Sequence, residues 1–293
     1  EKIQKNTSTM IPDQQFLSQE QVATTVLTLS DDDQAKILNG KIIPGDRVFY
    51  PVKSHIRASV PKSEKNNLNE KRCMITYDYD TDAGNRQMAI SHALKRKGVE
   101  VMSCFPSHTL KVNLEAAIPR DKDIDLFIHF TGNVNTMHSL GLPNEEGKVD
   151  KLTELPRDKW DILVDKFINT PAMVTQSAID NFVPGGSDDP RLFKGAKGRI
   201  VIIGPDLPSG KKIGGHERAK VEVFRGALRP FATTVNQELS DVLKSNIRAF
   251  LILPGTVDGK EPSDENIVNT INYMMSDESQ SSAEVIFCPD ETR

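Results

Sequence analysis

Cysteine is scarce in this chain, with three in 293 residues. Cys73, Cys104 and Cys288 are odd in number, widely spaced and set in or beside apolar runs. That pattern excludes a disulfide framework and offers no metal or redox motif, which leaves small buried thiols in a reducing compartment. Long apolar runs are missing as well: nothing reaches the roughly 18 residues a transmembrane helix needs, and the opening EKIQKNTSTMIPDQQF has no signal-peptide core. Nor does one sign of charge dominate, since 37 basic residues face 41 acidic ones for a net charge of -4. Such a balance creates no field that draws nucleic acid or an anionic membrane. We therefore expect a cytoplasmic chain with neither partner, its 37% hydrophobic content sufficing for one large domain or a domain with an appended piece.

Glycine is absent where a nucleotide-binding fold most needs it. Residues 76 to 84 read TYDYDTDAG after the apolar RCMI, and Gly84 is the one glycine among them. Dinucleotide phosphates are held by backbone N–H groups at a helix N-terminus, and glycines let the backbone approach them. Asp78, Asp80 and Asp82 instead set negative charge beside an anionic ligand, a repulsion of about 1 kcal/mol per pair near 4 Å even in bulk water. The D-x-D-x-D spacing resembles the start of a calcium loop, but Ala83 and Ala89 stand where that loop needs glycine and a bidentate glutamate. No metal site is expected here. The residues favour a solvated acidic turn that caps the following helix.

From residue 72 onward the chain alternates short apolar runs with helical periodicity. The strands expected are CMITY at 73 to 77, VEVMSCF at 99 to 105, DLFIHF at 125 to 130, RIVIIG at 199 to 204, AFLILPG at 249 to 255 and AEVIFC at 283 to 288. NRQMAISHALKRKG reads as a helix stopped at Gly98. A longer helix starts near Gly215, with Phe224, Leu228, Phe231, Val235, Leu239 and Val242 forming one apolar stripe and Pro230 placed to bend it. Doubly buried strands alternating with helices predict a Rossmann-type doubly wound parallel sheet. Residues 1 to 71 break the pattern, with a helix candidate QEQVATTVLTLS, a strand-like GKIIPGDRVFY and a linker-like KSEKNNLNEKR, so a boundary is expected near residue 60.

The order of these segments resembles the short-chain dehydrogenase/reductase superfamily over nearly all of residues 72 to 288. DLFIHFTGNVN is similar to that family's fourth strand and its NNAG turn, here His129, Phe130, Thr131 and Gly132. DKFINTPAMVTQSAIDNF resembles the fifth helix with its structural asparagine, Asn169, and GRIVIIG the strand carrying the catalytic serine. HERAKVEVFRGALRPFATTVNQEL resembles the helix carrying tyrosine and lysine, and NIRAFLILPG the sixth strand with its terminal Pro254 and Gly255. QVATTVLTLSDDDQAKILNGKIIPGDRVFY resembles the family's closing helix and strand, ahead of the domain it would normally finish. The resemblance therefore implies two domains in tandem: residues 1–60 as the tail of a preceding reductase-like domain plus linker, and 61–293 as a degenerate Rossmann domain. Among tandem reductases, the order is similar to the non-catalytic copies in bacterial bifunctional malonyl-CoA reductases.

The family's chemistry is altered at the tyrosine and serine places the resemblance identifies, while Asn169 and Lys220 keep theirs. Its tyrosine donates a proton, a lysine four residues later lowers that tyrosine's pKa, and a serine places the carbonyl. Here Lys220 keeps the lysine place, His216 replaces the tyrosine, and the serine place falls at or beside Gly204. The expectation is a non-catalytic reductase-like domain with no cofactor of its own. Its remnant catalytic positions are Asn169, His216 and Lys220, and its remnant nucleotide positions are Thr76, Gly84, Gly132, Pro254 and Gly255. A partner domain of the same or a neighbouring chain would carry out NADPH-dependent reduction of malonyl-CoA through malonic semialdehyde to 3-hydroxypropionate. The apolar stripes Trp160, Leu163, Phe167, Val174 and Phe224 through Val242 first serve the domain's own core, and any surplus implies an interface with the missing half or a homodimer. The alternative is an active NADPH-dependent carbonyl reductase in which His216 acts as general acid, its pKa pushed down by Lys220; a basic residue for a 2′-phosphate would then follow the second strand, where CFPSHT offers only His108. His216 otherwise reads as a histidine at a helix start, Lys220 as a solvated helix residue, and His129 as a hydrogen-bonded core residue.

Overall fold

A computed structural model describes residues 23, 56–57, 60, 65–77, 81–104, 123–132, 156–183, 189–206, 215–255, 263–281 and 284–288. The chain divides into two units, Glu1–Val52 and Lys53–Arg293. Of the first, Ala23 alone is described, in a helix; it falls within QEQVATTVLTLS, while the strand-like GKIIPGDRVFY lies outside the described residues.

The second unit is built on a seven-stranded sheet in which every pairing is parallel. Its strands are β1 (Ile56–Arg57), β2 (Arg72–Tyr77), β3 (Glu100–Cys104), β4 (Leu126–Phe130), β5 (Lys197–Ile203), β6 (Asn246–Pro254) and β7 (Val285–Cys288). Their spatial order is β1-β7-β6-β5-β4-β2-β3. Each of the six apolar runs read from the sequence contains a strand, displaced by no more than a few residues. The added strand β1 pairs Ile56 with Val285 and Arg57 with Ile286, so residues just after the unit boundary extend the sheet beyond β7.

Helices cover both faces, which is why these strands carry near-continuous apolar side chains. Helix α1 (Thr81–Arg96) and α5 (Asp264–Met274) cover one face, where Ile90, Leu94, Ile267 and Ile271 meet Cys73, Ile75, Leu126, Ile128, Val201 and Ile252. The opposite face receives α3 (Thr170–Phe182) and α4 (Gly215–Gln237), with Val174, Ala178 and Phe182 on Met74, Phe127, Ile200 and Ala249. Successive strand residues thus point to alternate layers. Gly198, at the start of β5, leaves room for the Phe182 ring, which a Cβ there would strike. Phe182 in turn meets Phe127 edge to face at 5.4 Å between centroids.

Gly98 ends the α1 segment as expected, at φ 87° with its N–H donating to the Lys95 carbonyl. Helix α2 (Arg157–Val164) runs through a π-helical turn, Asp165–Asn169, directly into α3. Trp160 stacks on Phe224 at 5.6 Å and Phe167 lies 5.0 Å from the same ring, so the two predicted apolar stripes pack on each other. Val242 departs from its stripe: it is exposed, because α4 closes in a second π-helical turn, Glu238–Val242, whose wider winding carries that residue off the buried face. Pro230 lies inside α4. Among the described residues, no helix is long and apolar enough to cross a membrane.

Candidate functional site at the carboxyl ends of the strands

In an open α/β sheet a ligand sits outside the carboxyl ends of the strands, where successive connections run in opposite directions. Here that point lies between β2 and β4, since β3 falls on one side of β2 and β4 on the other. Thr76 and His129 meet at this point across adjacent strands. Both are buried, and the Thr76 hydroxyl lies 2.9 Å from His129 Nδ1. His129 is therefore the hydrogen-bonded core residue expected, and Thr76, expected from the sequence as a remnant nucleotide position, is buried beside it. Asp78 and Asp80 lie outside the described residues. Helix α1 begins at Thr81, earlier than its periodicity indicates, which places Asp82 and Gly84 within its first turn.

Beyond β4, Gly132 adopts φ 74° and its carbonyl accepts the N–H of Asp206 at 3.0 Å. Thr131 is buried, with both its N–H and its hydroxyl donating to the Ile203 carbonyl at 3.0 and 3.2 Å. These bonds tie the end of β4 to the end of β5. At that end Gly204, at or beside which the serine place is expected, is held at φ 103°, and a Cβ on it would meet Thr131 Oγ1 at 2.5 Å. Both the backbone angle and the neighbouring hydroxyl restrict this position to glycine. Ile203 and Pro205 on either side have no side-chain hydroxyl.

Charged side chains that the sequence reading overlooked cluster around this strand end. Arg86, in the second turn of α1, donates from Nη1 to Asp206 Oδ2 at 2.7 Å, with side chains 12% and 18% exposed. Asp264, in the first turn of α5, also feels Arg86: burial raises its carboxyl above the ordinary value and Arg86 pulls it back. Arg225 is buried in α4 and donates from Nε to the Pro205 carbonyl at 2.9 Å and from Nη2 to the Pro254 carbonyl at 2.5 Å. Pro254 closes β6 and Gly255 follows it, so a buried guanidinium joins the ends of β5 and β6. A charged residue two positions past an apolar strand was the available signal for Asp206; no local pattern marked its partner.

The positions expected from the sequence as catalytic remnants lie on two helices. His216 is in the first turn of α4, one helical turn before Lys220. Lys220 is 6% exposed, a correction to the solvated residue expected, because the neighbouring Val221 and Phe224 pack against Leu163 and Phe167 and carry this stretch of helix inward. Asn169 sits in the π-helical turn, exposed, and its Nδ2 donates to Asp165 Oδ1 at 2.5 Å. Among the described residues, no group of three or more His, Cys, Asp or Glu is arranged to hold a metal ion.

Comparison with solved structures shows the fold: it is that of the short-chain dehydrogenase/reductases. The crystal structure of gox2181 superposes with a TM-score of 0.55 at 12% identity, covering 76% of this chain and 96% of that one. A double mutant of the Serratia marcescens short-chain dehydrogenase/reductase does so at 0.50 and 15%, over 76% of this chain and 98% of that one. More particularly, the C-domain of a bacterial malonyl-CoA reductase, solved with NADP, superposes at 0.58 and 12% identity over 90% of this chain. This chain spans 43% of that one. No family profile and no curated protein sequence matches the chain.

Proposed function

We propose that this chain is a non-catalytic, reductase-like domain that supports an NADPH-dependent enzyme of the malonyl-CoA reductase kind. A catalytic reductase domain of the same or a neighbouring chain would carry malonyl-CoA through malonic semialdehyde to 3-hydroxypropionate. The observation that carries the reading is Gly204. A serine hydroxyl is what places the substrate carbonyl in this chemistry, and Gly204 has both a left-handed backbone and Thr131 Oγ1 where a side chain would begin. Restoring the hydroxyl would require the strand end itself to move.

Two further features support it. The Asp206 carboxylate and backbone occupy Arg86 and the Gly132 carbonyl, groups that border the place where a dinucleotide would lie. Asn169 bonds Asp165 along its own helix. What the domain retains, among the described residues, is a doubly covered core, the property a supporting domain needs. The substrate and the tandem arrangement rest on the order of segments and on the likeness to the malonyl-CoA reductase C-domain over 90% of this chain.

Calorimetric titration with NADPH and NADH at low salt tests the proposal, because a supporting domain and an active reductase differ first in binding. The expected result is no heat of binding at millimolar cofactor. Micromolar binding would overturn the proposal and make His216→Ala the variant to assay for carbonyl reduction.

A further inference from the structure

Arg86 is the one cation the described hydrogen bonds bring to the strand ends from the α1 side, and Asp206 holds it from two strands away. Helix α1 follows β2, Asp206 follows β5, and β4 lies between them. Neighbouring strands are about 4.8 Å apart, so the pair bridges roughly 10 Å and passes over the carboxyl end of β4. On the way it crosses the switch point between β2 and β4, at which this fold places an anionic cofactor. Asp206 is fixed there from behind, its N–H donating to the Gly132 carbonyl at 3.0 Å. The pair is short and largely shielded from solvent, conditions under which an ion pair is screened far less than one at the surface.

We infer that Asp206 is an internal stand-in for an anionic ligand: its carboxylate occupies the Arg86 guanidinium, and a diphosphate-bearing nucleotide must displace it to enter. The inference rests on the reading of the wild-type crevice as closed and says what closes it. A guanidinium accepts carboxylate and phosphate by the same charged, forked geometry, so one anion can take the place of the other. Asp264, on α5, lies within electrostatic reach of the same guanidinium. Arg86 consequently retains a carboxylate neighbour when Asp206 is neutralised, and Asn is close enough in size to keep the turn.

The test compares NADPH binding by calorimetry at low salt for the wild-type chain, Asp206→Asn and the double variant Arg86→Gln/Asp206→Asn, with thermal melting to confirm folding. Asp206→Asn is expected to bind NADPH at least tenfold more tightly than wild type, with inorganic pyrophosphate competing, and the double variant to return to the wild-type level. A folded Asp206→Asn chain with no gain overturns the inference. So does a gain that persists without Arg86, since the ligand would then be held elsewhere. Should Asp206→Asn fail to fold, Asp206→Ser carries the same comparison. Micromolar binding by wild type would sink the non-catalytic reading by itself, and the ratio between the variants would still decide the role of Asp206.

Discussion

Gly204 shows how much one residue can exclude. Its φ of 103° and the Thr131 hydroxyl 2.5 Å from a built Cβ act in the same direction, so Gly204→Ser should cost about 1–3 kcal/mol of stability. Urea unfolding checks the cost, and NADPH-dependent carbonyl reduction should remain undetectable in the variant. Cys73 makes a different residue-scale prediction. It is fully buried, and burial, aided by the Asp125 carboxylate, pushes its thiol well above the ordinary value of 9.0. The unfolded chain therefore releases this proton at a lower pH than the folded one, and the stability associated with the thiol is fully present below pH 9.0 and lost as pH rises above it. Denaturation from pH 8 to 10.5 should show a steeper loss for wild type than for Cys73→Ala; equal slopes would contradict the assignment. His129 was legible in the sequence because an apolar run surrounds it. Arg86 and Asp206 were not, because 120 residues separate them and a long-range ion pair has no periodicity.

Elements here are completed by side chains as well as by neighbouring backbone. Pairing between β6 and β7 begins at Leu251, which leaves Ala249 short of that partner. Asn236, buried in α4, fills the place: its Nδ2 donates to the Ala249 carbonyl and its Oδ1 accepts the Ala249 N–H, both at 2.7 Å. One amide thus fastens the helix to the strand. Asn236→Ala strips both partners and should lower stability by about 2–4 kcal/mol; urea unfolding reads it, and a loss under about 0.5 kcal/mol would place the anchor elsewhere. The apolar stripe of α4 was legible up to Leu239 because its spacing is helical. Its failure at Val242 comes from the π-helical turn, a change of winding that no hydrophobic pattern announces.

At the scale of the whole molecule, the segment entering the sheet is part of the domain. Leu68 is fully buried in the core between α1 and α5. Asn67 and Asn272 clasp each other: the Asn67 N–H donates to Asn272 Oδ1 at 2.8 Å, and Asn272 Nδ2 donates to the Lys65 carbonyl at 2.9 Å. A fragment spanning 53–293 should therefore unfold cooperatively, whereas one spanning 72–293, without the clasp, Leu68 and β1, should melt at least 5 °C lower by the usual scaling of stability with melting temperature. Equal melting temperatures would show the segment to be dispensable. The alternation of strand and helix, the two covered faces and the positions of the strands follow from the sequence by itself, because burial on both sides of a sheet and on one side of a helix writes a local period into the residues. What the strand ends do was decided by tertiary structure alone. The glycine-only backbone at Gly204, the carboxylate laid against Arg86 and the guanidinium of Arg225 between two proline carbonyls each depend on atoms that meet only after β2, β4, β5 and β6 have paired.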